Sequence, residues 1–173
     1  MANEIAERLV WAVETLVVDP ADHLLEIGCG HGVVVSLVCE QLGEGTITAI
    51  DRSAKMIAMA QKRNRACVAS GRAVFQSNAL SEADFGQRRF DKIFAVNVSL
   101  FRTQAAAELA IIRRHLTPGG ALYLFHQDPW IPRTPSVTDT LTEILANNGF
   151  TIERILRREM APLPVNCITA KAT

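Results

Sequence analysis

The stretch Leu24-Leu25-Glu26-Ile27-Gly28-Cys29-Gly30-His31-Gly32-Val33-Val34-Val35 sets a short, mostly apolar run against three glycines in five positions and follows them at once with valines. Leu24 to Ile27 has the length and character of a buried strand. Glycines at its end mark a tight turn, where backbone approaches a neighbour or a ligand closely. Apolar residues at helical reach then run from Val33 to Leu42 and stop at Gly43. The stretch therefore predicts a strand, a glycine turn and a helix whose first free N–H groups and positive dipole end face the turn. A ligand carrying acceptor atoms fits such a place.

Glycine spacing separates two groups of nucleotide-type binders. Enzymes that hold a dinucleotide use G-x-G-x-x-G, with the second glycine at the pyrophosphate and the third packing the helix on the strand. Here the third glycine, Gly32, comes one place early, and Val33 stands where those enzymes have Gly or Ala. The run Glu26-Ile27-Gly28-Cys29-Gly30-His31-Gly32 instead resembles the first motif of class I methyltransferases that use S-adenosylmethionine. A glycine-rich turn of some other α/β protein is the alternative at this point.

Length and charge set the outer limits. The 173 residues are enough for one domain with a full core, and 49% hydrophobic with 21% charged residues is the composition of a globular chain. We read residues 1–173 as that single domain, residues 1–21 carrying an N-terminal helix and 22–173 the core. Lys plus Arg and Asp plus Glu both count 18, so no net field favours nucleic acid or an anionic membrane. Met1 to Val18 lacks a signal-peptide core, and no apolar run approaches the roughly 20 residues that span a bilayer, which predicts a cytoplasmic protein. The cysteines Cys29, Cys39, Cys67 and Cys167 show neither C-x-x-C spacing nor nearby paired histidines, so they are read as isolated, small buried residues with no metal site. Cys29 is then a compact residue of the glycine turn.

The remaining chain alternates. Ile5, Leu9, Ala12, Val13 and Leu16 give an amphipathic first helix that ends near Asp19-Pro20. After the glycine unit, Thr46 to Ile50 is a β-branched second strand ending at Asp51, and Ser53 caps a helix from Ala54 to about Ala66. Ala73 to Gln76 is a short third strand, leaving through Ser77-Asn78-Ala79-Leu80, and Phe90 to Val96 is a fourth, leaving through Asn97-Val98-Ser99-Leu100-Phe101. A helix with Ala105, Leu109, Ile112 and Leu116 on its buried face stops at Thr117-Pro118-Gly119-Gly120, and Ala121 to Phe125 is the fifth strand. After a proline-rich loop, Ser136 caps a helix that ends at Asn148-Gly149. Two closing strands, Phe150–Leu156 and Val165–Ala170, are joined by a segment too short for a crossover helix and so run antiparallel.

From about Asp22 to the end, this order resembles the class I methyltransferase fold. The fold expected is α/β, a Rossmann-like doubly wound sheet of seven strands, mostly parallel with an antiparallel C-terminal strand. Phe90-Asp91-Lys92-Ile93-Phe94 is similar to the family's fourth strand, and Leu116-Thr117-Pro118-Gly119-Gly120-Ala121-Leu122 to its turn before the fifth. Asp51 stands 21 positions after Gly30, where the family places an acid that accepts from ribose hydroxyls. The resemblance implies S-adenosylmethionine as cofactor, with Glu26, Gly28, Cys29, Gly30 and Gly32 around its methionine part and Asp51 on the ribose. It puts Arg52 and Met56 beside the adenine, Asn78 and the Ala79 backbone at the adenine edge, and Asn97 near the methyl.

The activity implied is methyl transfer to a small-molecule acceptor. A sulfonium methyl is already activated, so alignment matters more than a strong base. His126, Asp128 and Trp130 follow the fifth strand at the edge where acceptors bind in open α/β sheets. The segment after the fourth strand lacks the N-P-P-Y type motif used on nucleic-acid bases or glutamine, and no Pro-Cys pair offers a cytosine-attacking nucleophile. With few insertions to form a lid, the acceptor pocket is expected to be shallow, completed by the first helix or by a second subunit of a homo-oligomer. The competing readings are a non-catalytic S-adenosylmethionine-binding protein that regulates a partner, and a nicotinamide-dependent oxidoreductase.

Overall fold

The computed structural model describes residues 5–99, 101, 105–127 and 136–173. Seven strands lie in the sheet order β3-β2-β1-β4-β5-β7-β6. They are β1 (His23–Ile27), β2 (Thr46–Ile50), β3 (Ala73–Gln76), β4 (Phe90–Val96), β5 (Leu116–Gln127), β6 (Phe150–Arg158) and β7 (Val165–Ala172). The pairs β1/β2, β2/β3 and β4/β5 are parallel, and β7 is antiparallel to both β5 and β6. The mostly parallel, seven-stranded sheet expected from the sequence is the one observed. The backbone groups into two compact units, residues 1–84 and 85–173.

The first unit carries α1 (Glu7–Leu16), α2 (Val33–Cys39), α3 (Ala54–Arg63) and α4 (Arg65–Ala69). Its core is built from Leu24, Leu25 and Ile27 of β1, Ile47 and Ile50 of β2, and Val34, Val35 and Val38 of α2, all buried. These are the near-continuous apolar runs that a strand covered on both faces requires. In register, Ile27 pairs with Ile50 and Ile50 with Gln76, so the three parallel strands end level and their next residues emerge along one edge.

Three expectations need correction here. The helix opening at Val33 ends at Cys39 and not at Leu42. The helix from Ala54 is broken at Asn64 into α3 and α4. Cys39 and Cys67 are not isolated: they form a disulfide that ties the end of α2 to α4. Cys29 and Cys167 are free and buried, as expected of small apolar residues.

The second unit carries α5 (Ala105–His115) and α6 (Val137–Asn147). Ser136 caps α6 by accepting from the Asp139 amide at 3.0 Å, and Leu141 and Leu145 form its buried side. Leu116 belongs to β5 and not to the helix before it, pairing with Phe90 ahead of a register shift that absorbs Thr117–Gly120. Among the described residues no helix is long and apolar enough to cross a membrane.

Candidate functional site

Backbone hydrogen bonds bind the glycine turn to the end of β2. The Gly28 and Cys29 amides both donate to the Ile50 carbonyl, at 2.8 and 3.0 Å. The next residue, Asp51, then uses each carboxylate oxygen once. Its Oδ2 accepts from the Gly30 amide and its Oδ1 from the Ser53 amide, both at 2.9 Å. One side chain thus fixes the turn and the entry to α3, where Ser53 Oγ accepts from the Met56 amide at 3.3 Å. A carboxylate oxygen has room for about two hydrogen bonds, so Asp51 keeps acceptor capacity for ribose hydroxyls.

Gly30 and Gly32 are needed for different reasons. Gly30 has φ +50°, and a Cβ there would meet nothing within 4 Å, so the turn borders open space at this point. Gly32 has φ +71°, and a Cβ there would lie 2.7 Å from Asn64 Nδ2 and 2.8 Å from Ala60 Cβ. The first glycine faces room for a ligand, whereas the second is packed against α3.

Glu26 is the electrostatic centre of the turn. It is 3% exposed, and its Oε2 has no hydrogen-bond partner among the described residues. Burial, and then the negative charge of Asp51, raise its carboxyl from an ordinary 4.5 to about 8. A cationic group brought alongside would reverse that by favouring the carboxylate. The orphaned oxygen and the open side of Gly30 fit the amino-acid end of S-adenosylmethionine. Cys29 is pushed well above the ordinary thiol range, chiefly by burial and then by the charges of Glu26 and Asp51. It is a protonated turn residue and a poor nucleophile.

The adenine-side candidates follow β2 and β3 along the same edge. Arg52 is exposed and Met56 half-buried in the first turn of α3. Asn78 Nδ2 lies 3.5 Å from the Glu82 carbonyl, and the Ala79 amide lies 3.4 Å from Glu82 Oε2. Both distances are at the weak limit of hydrogen bonding, so these donors remain usable by a base edge. Glu26, Gly28, Cys29, Gly30, Gly32, Asp51, Arg52, Met56, Asn78 and Ala79 therefore all lie at or just beyond the level carboxyl ends of β1, β2 and β3.

Asn97 belongs to the second unit, where it follows β4 with φ +55°, uncommon for a residue other than glycine. Its conformation is held from three sides. Its amide donates to the Phe125 carbonyl at 2.8 Å, its Oδ1 accepts from the Gln127 amide at 3.1 Å, and its Nδ2 donates to Gln127 Oε1 at 3.0 Å. Beside it is a cavity of about 210 Å³, lined among others by Ala95, Phe101, Leu124, His126 and Leu141. His126 is 4% exposed, with Nε2 2.8 Å from Thr138 Oγ1. Asp128 and Trp130 lie outside the described residues.

Comparison with known proteins shows the family. A family model described as a methyltransferase domain matches residues 24–120, more than half of the chain. The chain belongs to the class I S-adenosylmethionine-dependent methyltransferases. S-adenosylmethionine is accordingly its methyl donor. An O-methyltransferase of Pyrenophora dematioidea is 26% identical over 150 residues, covering 77% of this chain and 55% of that protein. Among solved structures, the [4+2]-cyclase SpnF superposes with a TM-score of 0.79 at 19% identity, covering 95% of this chain and 80% of that one. Magnesium protoporphyrin IX methyltransferase from Synechocystis PCC 6803, solved with bound S-adenosylmethionine, gives 0.71 at 20% identity, covering 95% and 76%. The chain spans between about a quarter and three fifths of the length of the curated relatives it matches.

Residues that sequence reasoning passed over complete the methyltransferase turn. Asn64 and Ser36 contact Gly32, and Arg63 Nε donates to the His31 carbonyl at 3.2 Å. The only sequence signal was Ser36, the one polar residue of the otherwise apolar α2; Asn64 follows a helix rich in polar residues and stood out in no way.

Proposed function

We propose that this methyltransferase moves the methyl group of S-adenosylmethionine to a small-molecule acceptor. The observation that carries the cofactor half is the orphaned Glu26 oxygen at the end of β1, together with the open flank of Gly30 in the turn that follows. Glu26 holds the ammonium of the methionine part, and the glycine turn lets its backbone lie against that chain. Asp51 accepts from the ribose hydroxyls. Arg52 and Met56 flank the adenine, and Asn78 and the Ala79 amide read its edge. The sulfonium supplies an already activated methyl, so the protein's task is to hold donor and acceptor in line and keep water out.

The acceptor half rests on the cavity beside Asn97. At about 210 Å³ it is smaller than a typical drug-sized ligand pocket, and its lining is apolar apart from Asn97, Ser99 and His126. A compact, largely apolar molecule matches that space. The O-methyltransferase relatives, among them a malonyl-[acyl-carrier protein] O-methyltransferase of Priestia megaterium, make an oxygen acceptor the first to try.

Calorimetric titration with S-adenosylmethionine, S-adenosylhomocysteine and NAD in parallel tests the cofactor, and transfer of labelled methyl to a panel of small hydroxylated and carboxylated acceptors tests the reaction. Binding of the first two ligands without NAD, followed by turnover, is the expected result. Binding without turnover on any acceptor would favour a regulatory S-adenosylmethionine-binding protein, and binding of NAD alone would overturn the reading.

A further inference from the structure

The glycine turn is gripped from behind by two side chains outside the cofactor edge. Asn64, at the break between α3 and α4, is 5% exposed, and its Nδ2 donates to the Gly32 and Ala60 carbonyls, both at 2.9 Å. Its Oδ1 accepts from Ser36 Oγ at 2.8 Å, and Ser36 Oγ also lies 3.1 Å from the Gly32 carbonyl. The Ser36 amide completes the set at 3.2 Å from that same oxygen. Both donors and one acceptor of the Asn64 amide are therefore committed to one place, and the Gly32 carbonyl accepts from the Asn64 side chain and the Ser36 amide, the single Ser36 hydroxyl proton serving either that carbonyl or Asn64 Oδ1.

This concentration is more than a helix needs. A helix's first carbonyl requires only the amide four residues on, which Ser36 already supplies. The extra contacts fix the orientation of the Gly32 peptide plane, and Gly32 sits at positive φ, where glycine's freedom would otherwise permit other conformations. On the opposite side, the turn is held through Asp51 to the Gly30 amide and through the Ile50 carbonyl to Gly28 and Cys29. Gly30, which faces the open space, is thus suspended between an anchor at Asp51 and an anchor at Asn64. The Ala60 carbonyl also accepts the helical bond from the Asn64 backbone amide at 2.9 Å, so the side chain adds a second donor there at the point where α3 gives way to α4.

We propose that Asn64 and Ser36 form a positioning pair that presets the Gly30–Gly32 turn in its cofactor-binding conformation. This rests on the assignment of that turn to S-adenosylmethionine. The pair touches no ligand; it acts by keeping the turn from exploring alternatives that binding would otherwise have to freeze out. Asn64→Asp keeps the size and the acceptor for Ser36 but replaces both donors by an oxygen facing two carbonyls.

The test pairs a binding measurement with a ligand-free one. S-adenosylhomocysteine is titrated calorimetrically into the wild-type chain, Asn64→Asp, Ser36→Ala and Leu145→Ala, the last being a buried α6 residue in the other unit that lowers stability without touching the turn. Hydrogen–deuterium exchange of the peptide covering residues 28–34 is followed in the same proteins without ligand. The expected result is a Kd raised about tenfold or more in Asn64→Asp and a few-fold in Ser36→Ala, with faster turn exchange in both, and neither change in Leu145→Ala. A Kd within twofold of wild type in a folded Asn64→Asp, or the same Kd loss in Leu145→Ala, would overturn the proposal. If Asn64→Asp does not fold, an unchanged Kd and unchanged exchange in Ser36→Ala overturn it equally. Failure of the wild-type chain to bind would refute the cofactor assignment, and the positioning role with it. Faster turn exchange in the variants would then show that the clamp exists and serves stability alone.

Discussion

Asp51 and Glu26 are two acids of one turn with opposite circumstances. Asp51 spends one oxygen on Gly30 and the other on Ser53, whereas Glu26 is buried with an oxygen that has no hydrogen-bond partner among the described residues. Replacing Asp51 by Ala should weaken S-adenosylmethionine binding by on the order of 1 to 3 kcal/mol, through lost ribose hydrogen bonds and a loosened Gly30. Calorimetry would check it, and an unchanged affinity would remove Asp51 from the site. For Glu26 the sign follows from its raised carboxyl. Below pH 4.5 it is protonated in the folded and the unfolded chain and contributes no pH dependence. Between about 4.5 and about 8 the unfolded chain releases the proton while the folded one retains it, so stability falls as pH rises and levels off above about 8. Urea denaturation at pH 5, 6.5 and 8 should show this fall in the ligand-free protein, and Glu26→Gln should flatten the part that Glu26 causes. An identical pH slope in the variant would mean that Glu26 is not buried as described.

Elements set by local pattern were legible, and those set by distant contacts were not. The strands β2, β3 and β4 have the limits expected from their β-branched and aromatic runs between polar turns. The break at Asn64 was hidden, because no Gly or Pro marks it; it falls at the residue whose side chain reaches across to Gly32, 32 positions away. The disulfide was hidden for the same reason, since Cys39 and Cys67 are 28 residues apart and only the fold brings their Cα atoms within 6.5 Å. The candidate site was legible where a motif of consecutive residues carried it, as in Glu26 to Gly32, and illegible where support came from Ser36 and Asn64. Closing a loop of 28 residues lowers the entropy of the unfolded chain enough for about 3 to 4 kcal/mol on the chain-entropy model. The double variant Cys39→Ser, Cys67→Ser, or the protein treated with a dithiol, should lose stability of that order in urea denaturation. Equal midpoints for oxidised and reduced protein would show that the bridge contributes nothing to the fold. Free-thiol counting under denaturing conditions should find two reactive groups before reduction, Cys29 and Cys167, and four after it.

Across the whole molecule, the antiparallel ending could be read from a connection too short for a crossover, but the insertion of β7 between β5 and β6 could not, since no local pattern encodes strand order. The same global order determines what a ligand does to stability. The cofactor candidates of the first unit are backbone and side-chain groups at the ends of three paired strands, and unfolding scatters them along more than fifty residues of chain from Glu26 to Ala79. A ligand that needs them together binds the folded state alone and stabilises it by mass action, by about 2.7 kcal/mol at a hundred times its Kd. For a chain of this size each kcal/mol moves the melting temperature by about 2 to 4 °C, so S-adenosylhomocysteine at that concentration should raise Tm by roughly 5 to 11 °C. NAD at the same concentration should leave it unchanged. Differential scanning calorimetry gives the answer directly. Asp51→Ala should show a smaller rise at the same ligand concentration, because its Kd is higher and the ratio of ligand to Kd correspondingly lower. A full wild-type shift in that variant would place the ligand away from the carboxyl edge of β1, β2 and β3, whatever its affinity.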